Sequence, residues 1–174
     1  MQQISTVFYK TQIGEFILGA FNGRLCLLDY RDKHNQQTRD KIDNRLKKRL
    51  NAEFIEQDQP VLEAARAQIG EYLNQQRKAF DIPILMVGTD CQQRVWRALM
   101  QLAYGTTLSY KQLAVQYSGN EKAARAVAAA NAANALSLIV PCHRITGDGG
   151  RLRGYGGGLS AQQYLLDLEG GMFR

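Results

Sequence analysis

The stretch Leu138–Ile145, LIVPCHRI, constrains the fold of this chain more than any other. The run Leu136-Ser137-Leu138-Ile139-Val140 is apolar and partly β-branched, which suits a buried extended segment. Pro141 ends it, and its fixed φ suits the first turn of a helix. Cys142 is therefore expected at a helix N-terminus, where free N–H groups and the dipole favour a thiolate. A downward shift of one or two units from a free thiol pKa of ~8.5 would make it largely thiolate at neutral pH. His143 follows directly and is placed to take the thiol proton. A buried cysteine at a strand end beside a surface histidine is the plainer reading of such a dipeptide. It loses ground because Cys142 follows an ordered apolar run and leads into the glycine-rich segment 147–158. Reactive residues are presented in that way.

The 174 residues hold one medium domain or two small ones. A net charge of +6, from 22 Lys and Arg against 16 Asp and Glu, suits a polyanionic partner such as nucleic acid. No run reaches the roughly 18 apolar residues of a membrane span. The N-terminus has no charged-then-apolar signal pattern, so a cytoplasmic protein is expected. Cys26, Cys91 and Cys142 are odd in number and widely spaced, which fits reduced thiols and no zinc-ligand spacing.

An α/β fold is expected, with an N-terminal β-sheet domain and flanking helices over 1–86. A helical domain over 87–174 should follow. Residues 1 to about 30 read as β structure, with Asn22-Gly23 as a type I′ hairpin signal. Arg31–Arg39 is turn-like. Lys41–Leu50 carries Ile42, Leu46 and Leu50 at helical spacing and turns Arg45, Lys47, Lys48 and Arg49 outward. Val61–Gln76 reads as an amphipathic helix, and Phe80–Leu85 as an edge strand marked by Pro83. Beyond residue 87, Thr89 or Asp90 caps a helix bearing Val95, Trp96, Leu99 and Met100. Ser109 caps Tyr110–Gln116, Ser118-Gly119-Asn120 turn, and Asn120 caps a third helix from Glu121 to about Ala130. Two short helices so joined form a helix-turn-helix. A last helix runs from a Ser160 cap to Gly170.

Five motifs, taken together, are far more specific than PCHR (141–144) alone. They are GT-x-x-Q-x-x-VW from Gly88, SY-x-x-LA from Ser109, ARAVAAAN from Ala124, PCHR itself, and GY-x-GG…LL-x-x-EG from Gly154. Over Gly88–Gly170 the chain resembles the DNA alkyltransferases that repair O6-alkylguanine. The resemblance implies alkyl transfer to Cys142, with His143 as base and Glu169 as the carboxylate that polarises it, water bridging histidine and cysteine. It implies that Tyr110 contacts the extruded guanine and that Asn134 braces the turn after the recognition helix. Arg125 would take the base's place in the stack, on a helix whose small residues, Ala124 among them, let it lie close in the minor groove. Tyr155 and Gly156 would wall the pocket, while Arg151 and Arg153 would reach phosphates. Family members usually follow the Asn with Pro, where this chain has Ala135.

The implied partner is double-stranded DNA containing O6-alkylguanine, with O4-alkylthymine left open, bound by a monomer that needs no cofactor. Extrusion is physically required, because the alkylated oxygen lies inside the stacked duplex. Two rivals share parts of the pattern: a Cys-His-Glu hydrolase, which would turn over, and a non-catalytic lesion binder, which would not need Cys142. A transcription factor that senses alkylation is a third, though 174 residues leave little room for its second DNA-binding domain. Where some members place a Ser that contacts the base, Gly156 should free volume and lower the penalty for larger alkyl groups.

Overall fold

The computed structural model describes every residue except His34, Arg153 and residues 171–174. Four strands open the chain: β1 (Gln2–Thr11), β2 (Gly14–Phe21), β3 (Arg24–Tyr30) and, after a helix, β4 (Ala52–Glu56). Their order is β3-β2-β1-β4, antiparallel except for the parallel β1–β4 pair. Asn22 and Gly23 both have positive φ (51° and 77°) between paired Phe21 and Arg24, as a type I′ hairpin requires. Both faces of the sheet are covered. Phe16, Leu18, Leu28 and Tyr30 pack with helix α2 (Pro60–Leu73), whereas Ile4, Cys26 and Leu27 pack with α1 (Gln36–Leu50). That accounts for the unbroken apolar reading of β3.

Helix α1 starts at Gln36, not Lys41, because the Asn35 side chain accepts from Gln37 N–H and caps it there. Its basic face is also not simply turned to solvent. Arg45 donates to the carbonyls of Val87 (2.9 Å) and Ala133 (2.7 Å), and Arg49 to that of Gly88 (3.2 Å). These cations fasten α1 to the second half of the chain. Burial and the neighbouring Arg49 and Arg39 lower the Arg45 pKa to about 10. Helix α2 begins on Pro60 and buries Leu62, Ala65, Ile69, Tyr72 and Leu73.

Phe80–Leu85 does not form the expected strand. A single bridge, Leu25↔Ile84, joins it to β3, through Leu25 N–H to Pro83 O and Leu85 N–H to Leu25 O, both 2.8 Å. Pro83 offers no N–H with which to extend the ladder.

The second half holds α3 (Asp90–Met100), α4 (Tyr110–Ser118), α5 (Ala124–Ala132) and α6 (Leu159–Gly170), with the two-residue strands β5 (Leu108–Ser109) and β6 (Ile145–Thr146) paired in parallel. Thr89 with Gln92, and Ser109 with Gln112, form full capping boxes. Helix α4 ends on Gly119 at φ 75°, and Asn120 accepts from Lys122 N–H to start a 3-10 turn that runs into α5. The helix-turn-helix is therefore present, with its second helix reaching Ala132. Helix α6 begins at Leu159, which puts Ser160 inside its first turn and not at its cap.

Leu136–Val140 is buried except for half-buried Ile139, but it is a turn and not an extended run. Leu136 makes one bridge to Leu28, with Leu28 N–H to Ala135 O and Ser137 N–H to Leu28 O at 2.7 Å. Leu138 then takes a left-handed φ of 73° and Val140 N–H returns to Leu136 O at 2.8 Å. The free edge of β3 thus carries both the 83–85 segment and the segment leading to Cys142, so it is not an exposed strand edge. One hydrophobic cluster runs through both halves, from Phe16 and Tyr72 to Trp96, Leu113 and Cys142.

Candidate active site

Pro141 (φ −78°, ψ 65°) sits at the centre of an inverse γ-turn, closed by Cys142 N–H to Val140 O at 2.7 Å. Asn134 locks this turn. Its Nδ2 donates to Val140 O (3.0 Å) while its Oδ1 accepts from Leu136 N–H (2.9 Å). Cys142–Arg144 form only a single 3-10 turn, so the expected helix N-terminus behind the thiol is absent. The electrostatic consequence is opposite to the sequence expectation. Burial pushes the Cys142 thiol above its ordinary value; Asn134, the Lys33 charge and Ser137 pull it back, and burial prevails. Burial therefore favours the protonated thiol over the thiolate.

His143, the next residue, is fully buried. Its Nε2 lies 2.8 Å from Glu169 Oε2, and a carboxylate only accepts, so the hydrogen-bond network assigns the ring proton to Nε2. Nδ1 is left as the basic nitrogen, buried and with no hydrogen-bond partner among the described residues. Burial lowers the imidazole pKa more than Glu169 raises it, so the ring is neutral at neutral pH.

Glu169 comes from the last turn of α6 and is buried, not the solvated carboxylate that its helix position alone would suggest. Arg144 grips it with Nε on Oε1 (2.8 Å) and Nη2 on Oε2 (2.9 Å), and the Tyr72 hydroxyl donates to Oε2 at 2.6 Å. Burial raises its pKa, but the bonds from His143, Arg144 and Tyr72 outweigh that and hold it well below the usual carboxylate range. Arg144 also donates to Leu102 O at 2.8 Å. Neither Arg144 nor Tyr72 was singled out from the sequence. Arg144 stands inside the PCHR motif and could have been, whereas Tyr72 reads only as an apolar position of α2.

Cys142 lines a cavity of about 260 Å³ with Lys33, Asn131, Asn134, Tyr155 and Gly156. A second, more open cavity of about 400 Å³ adjoins it, sharing Ala132 and Gly154, and is lined by Tyr110, Lys111, Ala124, Arg125 and Ala128. Arg125 is exposed at this groove, on the face of α5 opposite buried Val127, Ala130 and Asn131. Tyr155 is itself buried, its hydroxyl 2.7 Å from that of Tyr30 and its ring edge-on to Tyr30. Arg151 is exposed and is not among the residues lining either cavity, and Arg153 lies outside the described residues. Among the described residues no group of three or more His, Cys, Asp or Glu side chains could hold a metal ion. No described helix is long and apolar enough to cross a membrane.

Residues 90–171 match the family model described as 6-O-methylguanine DNA methyltransferase, DNA binding domain. A methylated-DNA–protein-cysteine methyltransferase of Methanosarcina barkeri is 42% identical over 125 residues, 71% of this chain and 78% of that protein. The chain belongs to the methylated-DNA–protein-cysteine methyltransferase family. An inducible methyltransferase of Bacillus subtilis is 41% identical over 123 residues, 71% of this chain and 68% of its own length. The methyltransferase fold extends beyond the matched half. The OGT of Mycobacterium tuberculosis, solved in complex with DNA, superposes with a TM-score of 0.77 at 33% identity, covering 97% of this chain and 92% of that one.

Proposed function

We propose that the protein repairs O6-alkylguanine in duplex DNA by moving the alkyl group onto Cys142. The observation that carries this reading is the buried Glu169–His143 pair, which leaves Nδ1 as the basic nitrogen of the residue that follows Cys142, itself in the lining of a cavity of about 260 Å³. The extruded base enters that cavity from the groove along α5, and Arg125 fills the space it leaves in the stack. A water relays the thiol proton of Cys142 to His143 Nδ1. The Cys142 thiolate then attacks the alkyl carbon, forming the C–S bond as the C–O6 bond breaks and its electron pair passes to the purine. The proton is returned to the purine, with Tyr110 supporting the leaving base, and the product is guanine and S-alkylcysteine. A thioether is not hydrolysed under mild conditions, so each molecule reacts once and no cofactor takes part.

In this reading the protein acts as a monomer in the cytoplasm. O4-alkylthymine offers the thiolate a similar exocyclic ether and belongs in the same assay. The test is intact mass and peptide mapping after incubation with methylated duplex DNA. One methyl group per protein, on Cys142, is expected, and Cys142→Ala should take none while still binding DNA. Cys26 is buried with its pKa pushed up to about 12. Cys91 is exposed and 3.3 Å from the Tyr117 hydroxyl, so it is the informative control. Methylation of Cys91, or many turnovers per protein, would defeat the mechanism and favour a hydrolase-like reading.

A further inference from the structure

The volume that Gly156 leaves open is taken by a residue from the other half of the chain. Lys33 follows β3, and its ammonium bonds both oxygens of Asp29, at 3.1 and 3.0 Å, with only 6% of its side chain exposed. Asp29 is fully buried and is held independently by Arg39 (2.6 Å), Ser137 (3.3 Å) and Tyr30 N–H (2.9 Å). The stem of Lys33 is thereby pinned across the backbone of Gly156. A Cβ placed on Gly156 would stand 2.8 Å from Lys33 Cε and 3.5 Å from its Cγ, with Nζ nearer still. The backbone there is outside the left-handed region, so this contact, and not strain, is what keeps position 156 small. Lys33, Gly156 and Cys142 line the same cavity.

We propose that Lys33 is a specificity-determining residue, whose stem forms the cavity wall at Gly156 and sets the largest alkyl group that Cys142 accepts. This rests on the alkyl-transfer reading above. It also replaces the expectation that Gly156 by itself enlarges the pocket. Removing the stem beyond Cβ opens space at that wall, and room for a single methylene in an apolar site changes discrimination by ~10-fold or more. The ammonium has a separate effect. It is one of the groups that pull the Cys142 thiol down against burial, so its loss slows every substrate alike.

The experiment measures single-turnover transfer from duplex oligonucleotides carrying O6-methylguanine or O6-benzylguanine, for the wild type, Lys33→Ala and Lys33→Met. Thermal unfolding is followed in parallel. Lys33→Ala should raise the benzyl-to-methyl rate ratio roughly tenfold. Lys33→Met keeps the stem, so it should keep the wild-type ratio while both rates fall together. A wild-type ratio in Lys33→Ala overturns the proposal, and so does a Lys33→Met ratio that moves as far as the alanine variant's. Should the alanine variant not fold, Lys33→Val still loses Cδ, Cε and Nζ and must raise the ratio in the same direction, or the proposal fails. Absence of transfer by the wild type itself would be a different failure, that of the alkyl-transfer reading.

Discussion

Glu169 shows how a single carboxylate ties the chemistry to the core. It accepts from His143, twice from Arg144, from Tyr72 and, more distantly, from Gly105 N–H at 3.3 Å. A buried carboxylate with this many donors stays ionised and orients His143, so that the basic nitrogen is the one turned away from it. Its donors differ in role. Tyr72→Phe removes one hydrogen bond to a charged group and leaves the His143 and Arg144 bonds in place. It should cost roughly 1.5–3 kcal/mol in urea unfolding, with transfer to Cys142 retained. An unchanged midpoint would mean that the 2.6 Å contact contributes no net stability. The position of Tyr72 as a core residue could be read from the periodicity of α2. Its hydroxyl partner lies 97 residues away, beyond the reach of any local pattern.

At the scale of elements, α5 is held at its C-terminal end and open on one face. Trp96 Nε1–H donates to Ala130 O at 2.8 Å and Arg45 to Ala133 O, so two distant side chains satisfy carbonyls that a helix end leaves unpaired. Arg125 projects from the open face beside Ala124 and Ala128. Arg125→Ala should therefore impair repair of duplex DNA far more than reaction with the free alkylated base, because free base needs no extrusion. Equal loss on both substrates, measured as single-turnover rates, would assign Arg125 to the pocket or the fold. Elements of this kind were legible because their signals are local. The capping boxes at Thr89 and Ser109, and the Asn22-Gly23 turn, each need only a few neighbouring residues. Leu136–Val140 and Phe80–Leu85 misled for the converse reason. Their apolar, β-branched composition reports burial for most of Leu136–Val140 and only half-burial for Phe80, Ile82, Ile84 and Leu85, and each segment makes only one bridge to β3, whose edge sets its conformation. Lys33 was invisible for the same reason, since its meaning comes from Asp29 and Gly156 meeting across the fold.

Two hydrophobic clusters, one on each face of the sheet, are crossed by buried polar groups, and that combination predicts how the molecule responds to acid. The folded-state pKa of Glu169 is lowered, so its contribution to stability is present above the unfolded value of ~4.3 and is lost as pH falls through the folded one. His143 also has a lowered folded pKa. The unfolded chain therefore binds its proton first, and stability begins to fall as pH drops through the unfolded value of ~6.5. The two groups act in the same direction in adjacent windows. Unfolding free energy from urea titrations should hardly respond to these two groups above about pH 7 and should decline in two stages below it. Glu169→Gln removes the titrating carboxylate and should flatten the lower stage, although the variant starts less stable because Arg144 is left with a weaker partner. Stability that stays constant from neutral pH down through both windows would mean that neither group titrates differently in the folded and unfolded chains. The buried Glu169–His143 arrangement on which the proton transfer depends would then be wrong.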